Sequence, residues 1–190
     1  MNTLFISTFN ESVIVGLLKD GKLNLNKEIS SSNNHSTNLV PTIQKVLEES
    51  NIKIKEINEI IVVNGPGSFT GVRIGVTVAK TLAYTLKAKI KTITSIEALS
   101  LNDVISNKIV IVSDRKGKYY GIFENNKLIN DIAYLNNDEF EELLKKYPNY
   151  IVILNEHIDI EKIYDYLKDK EGINPHNVNP IYIKKIEALS

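Results

Sequence analysis

Two stretches of this chain run through the same order of elements, and that repetition constrains the fold more than any single residue. In the first, Leu4 to Thr8 and Val13 to Leu18 read as strands, and Asp20-Gly21 is a hairpin turn into a third strand at 23–29. A helix follows over 37–50, with Ser36 or Thr37 as its cap and Leu39, Val40, Ile43, Val46 and Leu47 on one apolar stripe. Pro41 then belongs near its first turn, where a missing N–H costs least. Ile60 to Val63 is a compact buried strand, and a long helix runs from Gly71 to about Leu86. Thr94 and Glu97 have capping-box spacing at the head of a short linking helix, after which the order restarts. Strands at 109–113, 119–124 and 128–134, the last two joined by Asn125-Asn126, lead to a helix at 138–146, a strand at 150–154 and a helix at 159–169 ended by Gly172. Each half reads β-β-β-α-β-α. This predicts an α/β protein of two lobes, 1–98 and 99–190, in which helices cover sheets.

Composition narrows the chemistry. The 190 residues carry 23 basic and 23 acidic side chains, so no general attraction draws the surface to a polyanion. There is no cysteine, which removes disulfides and thiolate catalysis and fits a reducing compartment. Neither a signal-peptide pattern nor a run of about 18 apolar residues occurs, and the expected location is cytoplasmic.

Asn64-Gly-Pro-Gly-Ser-Phe-Thr-Gly-Val-Arg-Ile-Gly75 holds the most information. Glycines Gly65, Gly67 and Gly71 permit close backbone approach, and with Pro66, Ser68, Phe69 and Thr70 they lie directly before a helix whose first N–H groups suit an anion. Arg73 would add a charge. The spacing matches neither G-x-x-x-x-G-K-[ST] nor G-x-G-x-x-G, so a nucleotide or phosphate loop and a tight packing turn both stay open.

The following helix is apolar over an arc of roughly 200°, about twice what one core face needs. Ile74, Val78, Leu82, Gly75, Leu86, Ala79, Val72, Ala83 and Val76 make up that arc, and Gly71, Gly75, Ala79 and Ala83 recur at every fourth position as a shallow groove. Either the helix is wedged between its own sheet and the helix at 37–50, or it meets another protein. For the second case the expected interface is His35, Leu39, Ile43, Val72, Gly75, Val76, Ala79 and Ala83.

Other candidates carry little. His157 and His176 stand without an oriented partner in the sequence, and Ser68 lacks the G-x-S-x-G surroundings of a nucleophile. Asp138, Glu139, Glu141 and Glu142 suit a solvated helix start, and Lys184 with Lys185 is too small a patch for nucleic acid.

With these residues in view, Gly65 to Gly75 resembles, without a gap, the G-P-G-S-F-T-G-[LV]-R-I-G hallmark of the bacterial TsaB (YeaZ) family. His35 with Leu39 and Pro41 resembles that family's H-x-x-x-L-x-P segment, Arg115-Lys-Gly117 with Tyr120 its D-A-R-x-G-x-x-Y segment, and Pro180-Ile-Tyr182 its terminal P-x-Y-L-R. Two departures stand out. Ile6-Ser7-Thr8-Phe9 replaces the usual I-D-T-S, and Ser113-Asp114-Arg115 moves the acid of D-A-R by one place. Together with the duplicated order, the resemblance implies the actin-like fold of the sugar kinase/chaperone/actin superfamily, with the second lobe reduced. It implies a non-catalytic subunit that supports a TsaD-type transferase, with a TsaE-type ATPase as third component, in forming threonylcarbamoyladenosine next to the anticodon. Transfer RNA is then contacted indirectly, and no cofactor or metal is implied; a homodimer through the same helical face is a third reading, which the sequence does not separate from a heterodimer. TsaD-type enzymes carry an H-x-x-x-H metal pair where this chain has His35 and Leu39. The competing reading is a small actin-like ATPase or kinase using Gly65 to Gly71, which needs a metal-positioning acid where Ser7 stands.

Overall fold

The computed structural model describes residues 1–31, 34–154 and 157–183. The first sheet has the order β3-β2-β1-β4-β5, built from β1 (Asn2–Ser7), β2 (Ser12–Lys19), β3 (Lys22–Ser30), β4 (Glu59–Val63) and β5 (Lys89–Ile93). The β1–β2–β3 meander is antiparallel, whereas β4 and β5 run parallel to β1. Parallel strands need crossovers, and the two helices α1 (His35–Glu49) and α2 (Phe69–Leu86) supply them. Burial of β1, β2 and β4 on both faces explains their unbroken apolar runs. Asp20 and Gly21 both take positive φ, as a tight hairpin turn demands.

The second sheet repeats this order. It comprises β6 (Lys108–Asp114), β7 (Gly117–Glu124), β8 (Lys127–Leu128), β9 (Ala133–Asn136) and β10 (Ile151–Ile153), with α4 (Asn137–Lys146) before β10. β10 lies parallel to β6, β7 is antiparallel to β6, and both β8 and β9 pair with β7. Reading outward from the first strand of each unit, the neighbours correspond, except that no described strand matches β5. The duplicated actin-like architecture, with its reduced second half, is therefore present. Between the sheets stands α3 (Ser95–Ser100), whose capping box joins Thr94 and Glu97 reciprocally.

Several local expectations need correction. β5 is absent from the sequence reading because Lys89-Ile-Lys-Thr-Ile93 lacks a run of apolar residues; Lys91 is buried only by virtue of Glu59, 2.8 Å away. The single strand expected at 128–134 is two, separated where Asn130 Oδ1 takes the Ile122 N–H at 2.6 Å. Helix α1 begins at His35 rather than after Ser36 or Thr37, and Thr37 Oγ1 donates back to the Asn34 carbonyl. Pro41 consequently sits in the second turn. There it faces solvent beside the exposed Thr37, whose carbonyl it cannot serve, so water can take that bond.

The last described segment crosses back to the first sheet. Helix α5 (Ile160–Leu167), which the sequence pattern assigns to the second repeat, seats Ile160 over Gly16, and its Glu161 accepts the Leu23 N–H at 2.8 Å. Ile173 then bridges to Ile90, and Ile181 donates to the Asn64 carbonyl at 2.8 Å. From β5 the segment thus passes α2, where Lys80 donates to the His176 and Val178 carbonyls, and reaches the glycine loop at residues 179–182. Lys184 and Lys185 lie outside the described residues.

Candidate functional site

The end of β1, the glycine loop and the start of α1 are drawn into one knot. Ser68 caps α2 by accepting the Gly71 N–H, and its own N–H donates to the Phe9 carbonyl at 2.6 Å. Thr8 Oγ1 donates to the Gly71 carbonyl at 2.7 Å. His35, 5% exposed, donates from Nε2 to the Asn10 carbonyl at 2.8 Å, while Ser31 N–H reaches the Glu11 carbonyl at 2.7 Å. Three successive carbonyls of the first turn are therefore held by this chain's own donors.

The glycines make this approach feasible. A Cβ at Gly71 would stand 2.2 Å from the Thr8 carbonyl oxygen, and one at Gly75 would stand 2.2 Å from Thr8 Oγ1. At Gly71 and Gly75 the groove expected to admit a second helix is filled by Thr8. All eight residues read as a partner surface are inside the chain: His35, Leu39, Ile43, Val72, Gly75, Val76, Ala79 and Ala83 are buried. Their burial comes from α2 lying between β1, β4 and α1, which accounts for half of the wide arc. The outward part of the arc is Ile74, Val78, Leu82 and Leu86, each half-buried.

Beside the knot opens a cleft of about 630 Å³ between the two sheets. Of the loop, Gly67, Ser68 and Phe69 line it; Gly65 and Pro66 are buried and fixed by Ser95, whose N–H and Oγ reach their carbonyls, and Thr70 faces solvent. Arg73 is directed at aromatic rings: its guanidinium carbon is 3.8 Å from the Phe69 centroid, and Nε donates to the Tyr182 hydroxyl at 2.6 Å. Tyr182, part of the Pro180-Ile-Tyr182 motif, packs on Phe69 with centroids 5.2 Å apart.

The opposite wall comes from the second sheet. Asp114 and Lys116 flank the β6–β7 turn, Tyr119 and Tyr134 pack at 5.0 Å, Glu139 opens α4, and the Tyr134 hydroxyl donates to Asp114 Oδ2 at 3.2 Å. Tyr120, the tyrosine of the Arg115-Lys-Gly117 motif, does not line this wall but packs on Phe140. Strand alternation does put residues 119 and 120 on opposite faces, but nothing local tells which face meets the cleft. Tyr134 has no signal in the sequence and Glu139 reads there only as part of a solvated helix start, since only tertiary pairing of β9 with β7 brings them to the cleft. Among the described residues, no three His, Asp or Glu side chains gather as a metal site, and no helix is long and apolar enough to cross a membrane.

Residues 28–176 match the family model described as TsaD, tRNA N6-adenosine threonylcarbamoyltransferase. The chain is 28% identical to the tRNA threonylcarbamoyladenosine biosynthesis protein TsaB of Bacillus subtilis, over 99% of this chain and 96% of that protein. It is 39% identical to Escherichia coli TsaB over 44% of this chain and 36% of the other. The solved structure of YeaZ from Pseudomonas aeruginosa superimposes with a TM-score of 0.79 at 18% identity, covering 95% of this chain and all of that one. The chain belongs to the TsaB (YeaZ) family.

Within the TsaB frame, the two departures have physical consequences. Ser7, in place of the first-strand aspartate, is fully buried with a hydroxyl that meets no hydrogen-bond partner. Asp114, displaced by one position, becomes part of the cleft wall and the acceptor for Tyr134.

Proposed function

We propose that this TsaB-family chain is a non-catalytic partner subunit in the formation of threonylcarbamoyladenosine on transfer RNA. It binds a TsaD-type catalytic subunit, works with a TsaE-type ATPase, reaches transfer RNA only through that complex, and resides in the cytoplasm. The observation that carries this reading is the closed first turn. An actin-like ATPase or kinase needs a metal-positioning acid at the end of β1 and open backbone groups beside it. Here that position is the buried Ser7, and the Phe9, Asn10 and Glu11 carbonyls are held by Ser68, His35 and Ser31. The names carried by the B. subtilis and E. coli relatives supply the pathway.

In this reading the division near residue 98 separates a partner-binding first lobe from a reduced second one. The partner meets the half-buried stripe Ile74, Val78 and Leu82 of α2 together with the exposed Val40 of α1, while Val72, Val76, Ala79 and Ala83 support that stripe from beneath. A second copy occupies the same surface when the chain is alone. Ala79 is fully buried, so Ala79→Arg would report on the core, whereas Val78→Arg can turn its charge to solvent and keep the fold. Purified with the TsaD-type subunit, the native chain is expected to co-elute and Val78→Arg to separate with a near-native melt. Depletion in cells should remove threonylcarbamoyladenosine as measured by nucleoside mass spectrometry. Steady-state ATP turnover by the pure chain, lost in Gly67→Ala, would instead establish the ATPase reading.

A further inference from the structure

Helix α2 carries two charged side chains, Arg73 and Lys80, and no acid. Lys80 is engaged within the chain, since its ammonium donates to the Val178 carbonyl at 2.9 Å and to that of His176 at 3.4 Å. Arg73 is held differently. Its guanidinium carbon stands 3.8 Å from the Phe69 centroid and 5.3 Å from that of Tyr182, and Nε donates to the Tyr182 hydroxyl at 2.6 Å. These contacts fix the guanidinium plane but use only one of its N–H donors. Among the described residues no carboxylate pairs with Arg73, and nothing accepts from Nη1 or Nη2. The result is a pre-oriented fork with its outer end open, which loses little freedom on meeting an acceptor.

The surroundings decide what that fork meets. Arg73 is exposed, adjoins Ile74, and stands in a row with the exposed Thr77 and Thr81 at successive turns of α2. A protein seated on Ile74 and Val78 therefore covers Arg73 as well. Burying a guanidinium without an opposing charge is strongly unfavourable, and the threonines and valines beside it supply none. A nucleic-acid backbone would call for clustered cations, whereas the exposed neighbours Thr70, Thr77 and Thr81 are uncharged. A carboxylate suits a fixed guanidinium plane through two parallel hydrogen bonds. We infer that Arg73 is the polar anchor of the partner surface and receives an Asp or Glu carboxylate of the protein docked on α2. Because Nε is already occupied, the capture is end-on, with Nη1 and Nη2 donating to the two carboxylate oxygens. This rests on the partner-subunit reading and adds the chemistry that the partner must present. A second copy of this chain cannot supply the carboxylate from its own α2, which has none.

The test titrates the full-length chain with the TsaD-type subunit by calorimetry at several salt concentrations. Arg73→Gln is expected to weaken association about 30-fold and to flatten its dependence on salt, with a near-native melt. Arg73→Lys keeps the charge but not the fork, and should recover only part of the loss. A second readout follows the native chain labelled with 15N-arginine. On addition of the partner, the Nη protons of Arg73 are expected to separate into distinct signals as the carboxylate stops rotation about the Cζ–Nη bonds, a change that mere packing against Phe69 would not produce. The inference is overturned if Arg73→Gln or Arg73→Lys binds as tightly as the native chain, or if the partner leaves the Nη signals unchanged. It is also overturned if Arg73→Gln spares subunit association and weakens only transfer RNA binding by the assembled complex, which would give the fork to a phosphate. A native chain that does not bind the TsaD-type subunit at all removes the partner reading and this inference together, whereas native association indifferent to Arg73 removes this inference alone.

Discussion

Glu59 and Lys91 form an ion pair of 2.8 Å inside the protein, with side chains only 2% and 6% exposed. Thr3 Oγ1 also donates to Glu59, and Lys91 reaches the Lys168 carbonyl at the end of α5, so one buried cation joins β4, β5 and the returning helix. Removing one partner of such a pair strands a charge in the interior. Lys91→Met is therefore expected to cost about 3–5 kcal/mol in chemical denaturation, while Glu59→Leu combined with Lys91→Met should recover most of that loss. Equal destabilisation by the single and double substitutions would show that the Lys168 contact, not the pair, is what matters.

Gly71 is expected to be the least replaceable residue of the loop. In Gly71→Ala the new methyl falls 2.2 Å from a backbone carbonyl oxygen, which has no rotamer to escape through. The expected cost is at least the ~1–3 kcal/mol of an overpacked core, read as a lowered Tm with amide shifts concentrated at Thr8 and Phe9. A near-native melt would mean that the turn after β1 is not held as described.

Much of this fold is legible in the sequence because its central strands are apolar throughout and its turns carry Asp20-Gly21 and Asn125-Asn126, all in left-handed conformations. β5 is not legible, because Lys91 stands between its buried Ile90 and Ile93 and is accommodated only by Glu59 of β4, which the sheet brings beside it. The glycine loop is visible as a motif, yet a glycine needed for close packing and one needed for phosphate look the same in sequence. Which one Gly71 is depends on Thr8, 63 residues away. The cleft is the least legible part, since Tyr119 and Tyr134 face Phe69 and Tyr182 only after both sheets have formed.

Tyr150 is expected to be the last tyrosine to ionise. Its hydroxyl donates to Glu124 Oε1 at 2.5 Å, and this bond, reinforced by burial and the nearby negative charge, pushes its pKa up to about 12 from an ordinary value of 10.0. Because the folded value is raised, the stabilisation is complete below pH 10 and is lost as pH climbs through the folded pKa. Absorbance titration of the native chain should show a late-ionising component that Tyr150→Phe removes. Persistence of that component in the variant would assign it to another ring.

Lys108 should act in the opposite sense. It is 1% exposed at the start of β6, and its ammonium donates to the Ser100 carbonyl at 2.6 Å and the Asp103 carbonyl at 2.7 Å, closing the end of α3 where the chain passes between sheets. Burial pushes its pKa below the ordinary lysine value of 10.5; Asp103 works against that shift and Lys162 with it. Well below the folded pKa both states keep the proton, and no pH dependence arises. Between the lowered folded value and 10.5 the unfolded chain holds a proton that the folded chain has released, so stability rises with pH. A neutral amine still donates to both carbonyls, whereas Lys108→Met leaves them without a partner at a cost of about 1–3 kcal/mol. The expected result is a lower Tm for Lys108→Met at neutral pH and a gap to the native chain that widens as pH approaches 10.5. A gap that stays constant over that range would mean that Lys108 enters the fold already neutral or remains charged throughout.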